Sequence, residues 1–280
     1  MTTTLNTEAK KIEILISTMN RTSMDFLYKM TEQLEFTSLE YLIVNQTSKD
    51  KLLVSKDNNV RVINSFEKGL AKSRNVAIAH AKGDICLLAD DDVKYFSKLN
   101  EKISQAFISK KEADIITFQM VDEHGNLFRD YPDILKHNKK TLYLVNSVGI
   151  AFKRKNLLDR KVLFNELFGL GSIFETADEY VFLRNALNKN LNMCFEPVSI
   201  LEHAYKSSGK NEGFDKLIFA RAALFYKYSG FLAYLRLFKH LYLVYKNKGI
   251  KFSQLYSKYK VGLKGIKEYK MYLRKGLEKR

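Results

Sequence analysis

Asp84-Ile85-Cys86-Leu87-Leu88-Ala89-Asp90-Asp91-Asp92 decides the fold of this chain. The run from Ile85 to Ala89 is apolar without alternation, the pattern of a strand buried on both faces of a parallel sheet. Three carboxylates follow at once. Side by side they repel one another and need solvent or a cation. Hard oxygen ligands suit Mg²⁺ or Mn²⁺, ions that take one or two carboxylates and complete their shells with water and phosphate oxygens. Asp is also favoured in turns and at helix N-caps, so position has to decide between these uses.

Position is set by what lies on either side. Lys11–Ser17 (KIEILIS), Leu39–Val44 (LEYLIV), Val60–Asn64 (VRVIN) and Ala113–Val121 (ADIITFQMV) are further strand-like runs. Between them, helical spacing marks Met24 to Leu34, Gly69 to Ala81 and Phe96 to Lys110, with Gly83 closing the second. Strands alternating with such helices predict βαβ units and an α/β fold with a mostly parallel central sheet. Ligands bind such sheets at the carboxyl ends of the strands. The polar clusters at 17–21, 45–48 and 90–92 all fall there.

Composition supports a folded chain. Its 280 residues are 46% hydrophobic and 12% aromatic, enough for a packed core. Met1 to Lys11 is polar with no apolar core segment, which predicts no secretory signal. The longest apolar stretch, Leu217 to Tyr245, is broken by Arg221, Lys227, Arg236, Lys239 and His240, which argues against a membrane span. Two cysteines, Cys86 and Cys194, in apolar runs are expected to be core residues, not a disulfide or zinc site. Charge is uneven. Residues 204–280 carry 15 Lys and 4 Arg against Glu212, Asp215, Glu268 and Glu278, nearly all of the chain's net +16. This contrast predicts a domain over 1–203 and a basic, aromatic-rich helical segment over 204–280.

Gly69-Leu70-Ala71-Lys72-Ser73-Arg74-Asn75, then Gly83-Asp84, then Leu87 to Asp92, resembles a stretch of the family 2 glycosyltransferases of the GT-A fold, in which a helix leads into a metal-binding D-x-D strand end. Ile14 to Arg21 is similar to that family's first strand and turn, with Ser17 where the family commonly has Pro. Asn146–Lys155 (NSVGIAFKRK) resembles its acceptor-side strand. Phe164-Asn165-Glu166 with Phe174 to Arg184 resembles its "F-x-E … E-D-x-x-F-x-x-R" region. Together these cover residues 11–203 and imply a Rossmann-like α/β/α sandwich with a metal-bound nucleotide-sugar donor, a UDP-sugar first among the expectations.

By that resemblance Asp90 and Asp92 form the D-x-D, with Asp91 between them: one contacts the ribose and another binds Mn²⁺ or Mg²⁺. Ser17 and Asn20 fall in the nucleotide-binding turn. Asn45 and Gln46 stand where the family has a base-reading carboxylate, and an amide has both a donor and an acceptor for that task. Arg74 is the expected partner of base or phosphate. Inverting transfer also needs a carboxylate to take the acceptor's proton. Alignment through Thr176 and Arg184 makes this Asp178, with Ala177 in place of the usual Glu; alignment as an acidic pair makes it Glu179. Acidic residues are also favoured at a helix N-terminus by its dipole, which leaves one of the two a structural alternative. His203 is a candidate further metal ligand or a structural histidine.

From Phe231 to Lys246 the cations Arg236, Lys239, His240 and Lys246 share an arc of about 120° on a helical wheel, with most Leu, Phe and Tyr opposite. Such a helix suits an anionic membrane surface, and with it a lipid-linked glycan acceptor. Packing on the catalytic domain and single-stranded nucleic acid are the rival uses. The expected protein is therefore cytoplasmic, either soluble or peripheral at the inner face of the cell membrane, adding sugar to a surface or capsular polysaccharide, with no nucleic-acid partner. Two alternatives remain. A sugar-phosphate nucleotidyltransferase would show a Gly-rich loop after the first strand, which Ser17 to Arg21 lacks. A nucleic-acid-binding protein would use the tail but leave the aspartates without a role.

Overall fold

The computed structural model describes residues 10–204 and 212–278. Residues 1–9 of the polar N-terminus and the start of the basic segment after Ala204 lie outside it. The chain divides into two compact units, one of residues 1–165 and 179–205, the other of residues 166–178 and 206–280.

The first unit is built on one eight-stranded sheet. In chain order it comprises β1 (Ile12–Met19), α1 (Asp25–Met30), β2 (Glu40–Gln46), β3 (Val60–Ser65), α2 (Leu70–His80), β4 (Ile85–Asp90), β5 (Val93–Tyr95), α3 (Leu99–Ser109), β6 (Ile115–Val121), β7 (Ile150–Lys153), α4 (Arg154–Asp159), α5 (Asp178–Asn188) and β8 (Met193–His203). Strand order is β3-β2-β1-β4-β7-β6-β8-β5. β3, β2, β1 and β4 run parallel, as do β6 and β8, while β7 and β5 pair antiparallel with their neighbours. The apolar stretches Ile14–Ile16 of β1, Tyr41–Val44 of β2 and Ile85–Ala89 of β4 are buried on both faces, so one core lies on each side of the sheet. Cys86 and Cys194 are buried, unbridged core residues.

Three details depart from sequence spacing. α1 stops at Met30, where the Thr31 hydroxyl bonds back to the Leu27 carbonyl, short of the expected Leu34. α3 starts at Leu99 because Lys98 takes a left-handed conformation (φ 60°). β8 is 11 residues long, and its register with β6 shifts between Glu196 and Ser199, around Pro197. A proline cannot donate to the ladder and belongs at such a bulge.

The second unit contains α6 (Asp215–Ser229), α7 (Ala233–Lys246) and α8 (Leu255–Arg274). Its core includes Ile218, Ala222, Leu237, Leu241, Val244 and Ile266. Gly265 lets α8 approach α6 closely: a Cβ there would stand 2.1 Å from the Phe219 carbonyl oxygen. Phe168 and Phe174, from the 166–178 segment, join Phe219 and Tyr269 in an aromatic cluster. Lys227 and Glu278 form a buried ion pair at 3.1 Å.

Candidate active site

Register gathers the polar strand ends. Ser17 lies opposite Asp90, Thr18 opposite Asn45 and Met19 opposite Gln46. β2 and β3 lie on one side of β1, and β4 on the other. That reversal is the switch point at which open α/β sheets hold their ligands.

Each aspartate of the triplet meets a different basic side chain. Arg74 Nη2, on α2, donates to Asp90 Oδ1 at 2.8 Å, and its guanidinium lies 5.4 Å from the Phe164 ring centroid. Arg74 is only 2% exposed, and a permanently charged group buried so far needs such partners. Arg21 Nε donates to Asp91 Oδ2 at 2.7 Å, and the Thr18 hydroxyl donates to the same oxygen. His203 Nε2 lies 3.3 Å from Asp92 Oδ1. β5 makes this meeting possible: it begins directly after Asp92 and pairs with β8 so that Val93 lies opposite His203. The hydrogen bond to Asp92 raises the His203 pKa above its ordinary value and lowers that of Asp92.

Asp92 and His203 have the chemistry and spacing of a divalent-ion pair. Adjacent ligands of an octahedral ion with bonds of about 2.1 Å stand about 3 Å apart. The Asp92–His203 separation is close to that. His203 Nδ1 is 2.9 Å from the Ala204 carbonyl, an arrangement that would orient the imidazole if Nε2 took an ion. Among the described residues no three His, Cys, Asp or Glu side chains form a cage of their own. The pair would thus leave positions for phosphate oxygens and water.

Asn45 and Gln46 are occupied within the protein. The Asn45 side chain accepts from Arg21 N at 3.1 Å and donates to Arg21 O and Asn64 Oδ1, both at 3.0 Å. Gln46 Oε1 accepts from Gly69 N at 2.7 Å, directly before α2. These two amides anchor the segments that carry Arg21 and Arg74. Ser17, buried, accepts from the Ser73 hydroxyl at 3.0 Å, while Asn20 is exposed with φ 55°. Beside Asp91 and Asp92 lies a cleft of about 520 Å³ lined by Asn20, Arg21, Lys29 and Lys94 among others. Its size suits a small ligand, and its lining sets three cations, Arg21, Lys29 and Lys94, against three carboxylates, Asp25, Asp91 and Asp92.

Asp178 and Glu179 open α5, and the division between the two units falls between them. Asp178 is buried against Gly169 (φ +104°), where a Cβ would come within 2.9 Å of its own. Ala177 has φ 58°, a left-handed conformation that costs an L-residue about 1 kcal/mol. Glu179 is half-buried, within electrostatic reach of Arg129.

Sequence reasoning missed Thr18, Arg21, Lys29 and Lys94 as site residues. Arg21 had a signal, its place in the polar turn after β1. Lys94 had one too, two residues beyond the triplet.

The chain matches Glycosyl transferase family 2 over residues 13–174, more than half its length, and belongs to that family. It is 25% identical over 190 residues to an uncharacterized glycosyltransferase of Haemophilus influenzae, covering 64% of this chain and 62% of that protein. It is 27% identical over 192 residues to the poly(ribitol-phosphate) beta-N-acetylglucosaminyltransferase TarS of Staphylococcus aureus, covering 63% of this chain and 31% of TarS. The chain thus spans less than two thirds of the length of either relative. Among solved structures, TarS 1–349 in complex with UDP-GlcNAc superposes with TM-score 0.55 at 16% identity, covering 95% of this chain and 92% of that one. TarS 1–349 without that ligand gives 0.53. The fold is accordingly that of the GT-A glycosyltransferases. Family membership favours the glycosyltransferase over the nucleotidyltransferase and the nucleic-acid-binding protein.

Proposed function

We propose that the protein transfers a sugar from a nucleotide-sugar donor to a hydroxyl of a glycan acceptor, with inversion at the anomeric carbon and dependence on Mn²⁺ or Mg²⁺. The observation that carries this is the Asp92–His203 pair beside the Arg21–Asp91 and Arg74–Asp90 pairs, at the switch point of a family 2 sheet. Asp92 and His203 would hold the ion, which when bound offsets charge on the departing diphosphate. Arg21, Lys29 and Lys94 line the cleft in which the diphosphate would be held. Asp90, oriented by Arg74, faces the ribose. A UDP-sugar is the first donor to try, since the solved relative binds UDP-GlcNAc.

In the transfer step the acceptor oxygen forms a bond to the anomeric carbon as the bond from that carbon to the diphosphate breaks. The nucleoside diphosphate leaves with the electron pair, and a carboxylate takes the hydroxyl proton. We assign that base to Asp178, with Glu179 as the alternative. Ala177, strained immediately before Asp178, supports a position held for function. The acceptor we favour is a lipid-linked surface polysaccharide, in keeping with the charge of residues 204–280.

A thermal-shift panel of nucleotide sugars with Mn²⁺ tests the reading. A bound donor raises apparent stability by mass action, and only in the presence of the ion. Stabilisation by a donor with EDTA present would contradict the metal role.

A further inference from the structure

α7 is apolar over a wider arc than its own unit uses. Ala233, Leu237, Leu241 and Val244 are buried in the helical core. Leu235, Phe238 and Tyr242 are 69%, 68% and 53% exposed. At about 100° per residue these three fall within about 60° of one another, on the side away from the buried set. Phe231 before the helix and Phe252 after it are 85% and 72% exposed. Internal packing therefore explains one face of α7 and leaves the other unexplained. A contiguous exposed apolar stripe of this kind marks an interaction surface.

Its charged border indicates the partner. Arg236, Lys239 and Lys246 are exposed along one flank of the stripe. His240, which the sequence grouped with them, instead turns inward, 3.6 Å from Glu212 and edge-on to Phe225. From Lys216 to Lys267 the chain holds ten Lys and two Arg and no Asp or Glu. A second copy of this chain docking by the same face would set these cations against their equivalents with no carboxylate from this stretch between them, since a twofold interface matches a patch with itself. Among the described residues no helix is long and apolar enough to cross a membrane. What remains is a helix lying in the plane of an interface, its aromatic and leucine side chains at the headgroup level and its cations toward anionic lipid.

We propose that the Leu235–Phe238–Tyr242 face of α7 is a docking surface for an anionic lipid bilayer. This deepens the lipid-linked acceptor reading and rests on it for its purpose, but it is tested separately. Full-length protein is sedimented with vesicles of phosphatidylcholine alone and with about 30% phosphatidylglycerol, at low and high salt. We expect binding to the anionic vesicles, weakened by salt. A Leu235→Ser/Phe238→Ser/Tyr242→Ser variant should lose at least tenfold in affinity. Arg236→Gln/Lys239→Gln/Lys246→Gln should lose roughly fivefold per cation, on the order of 100-fold in all. Circular dichroism of each variant should match the parent, as expected for exposed positions.

Equal vesicle binding by parent and both variants would overturn the proposal. So would self-association in light scattering that the serine variant abolishes, which would assign the stripe to a second copy. Loss of single-stranded oligonucleotide binding in the glutamine variant, without vesicle binding by the parent, would assign it to nucleic acid. Asp92→Ala should bind vesicles as the parent does. If it does while the parent transfers no sugar, the surface stands and the proposed activity falls.

Discussion

The two units handle charge in opposite ways. In the sheet unit, the carboxylates of the candidate site are partnered one by one: Asp90 with Arg74, Asp91 with Arg21, Asp92 with His203. In the helical unit, more than fifty residues from Lys216 onward contain no carboxylate, and most of their cations are left to solvent or a partner. Pairing at short range gives fixed directions, which a site that orients a diphosphate requires. An uncompensated field gives no direction but attracts any extended anionic surface. One chain thus holds a preorganised site and a broad electrostatic face, and substitutions in the two should behave differently.

The largest effect should come from the compensated side. Asp92→Ala is expected to lower donor hydrolysis and transfer by about 10³-fold or more, because the developing charge on the diphosphate loses its ion. EDTA should do the same to the parent. Asp178→Asn should reduce transfer by about 10²–10³-fold while donor binding, read by thermal shift, survives. If Glu179→Gln alone has that effect, the base lies one residue further on. A smaller effect, on stability, tests the one buried ion pair described in the helical unit. Lys227→Met removes this buried ion pair and should cost about 3 kcal/mol in denaturant unfolding. A cost near zero would mean that this pair adds nothing to the helices.

The pH response should be set by the sheet unit. Burial holds the His137 imidazole down at about 4, from its usual 6.5. Its folded state favours the neutral ring, so the associated stability is complete above pH 6.5 and is lost as pH falls toward 4. The shift corresponds to on the order of 3 kcal/mol, and His137→Gln should flatten the stability profile over that interval. Metal dependence should move the other way along the scale. Because His203 holds its proton more tightly than an ordinary histidine, more Mn²⁺ should be needed as pH drops through the neutral range. A metal requirement that does not change with pH would remove His203 from the ligand set.

Much of the fold was legible because buried parallel strands are written as unbroken apolar runs. Ile85 to Ala89 and Tyr41 to Val44 needed no partner to be recognised. β5 escaped because three residues, Val93–Tyr95, are too few to show a period, yet this strand is what brings His203 to Asp92. The aspartates themselves were visible, but their partners were not. Arg21 and His203 lie 70 and 111 positions from theirs, and only strand order makes them neighbours. Asn45 and Gln46 were placed correctly at a strand end, but sequence could not tell that the backbone at Arg21 and Gly69 claims their amides. Nor was it legible that residues 166–178 group with the C-terminal helices, since Phe168 and Phe174 sit in loop-like sequence and acquire their role from Phe219 and Tyr269.

Isothermal titration of UDP-GlcNAc into the parent and Asp92→Ala, with Mn²⁺ and with EDTA, tests the central claim most directly. The account predicts binding by the parent in Mn²⁺, and a drop of at least tenfold on chelation or in Asp92→Ala even with the ion present. Equal affinity in all four conditions would contradict it, and would leave the aspartates as a paired structural edge instead of a donor site.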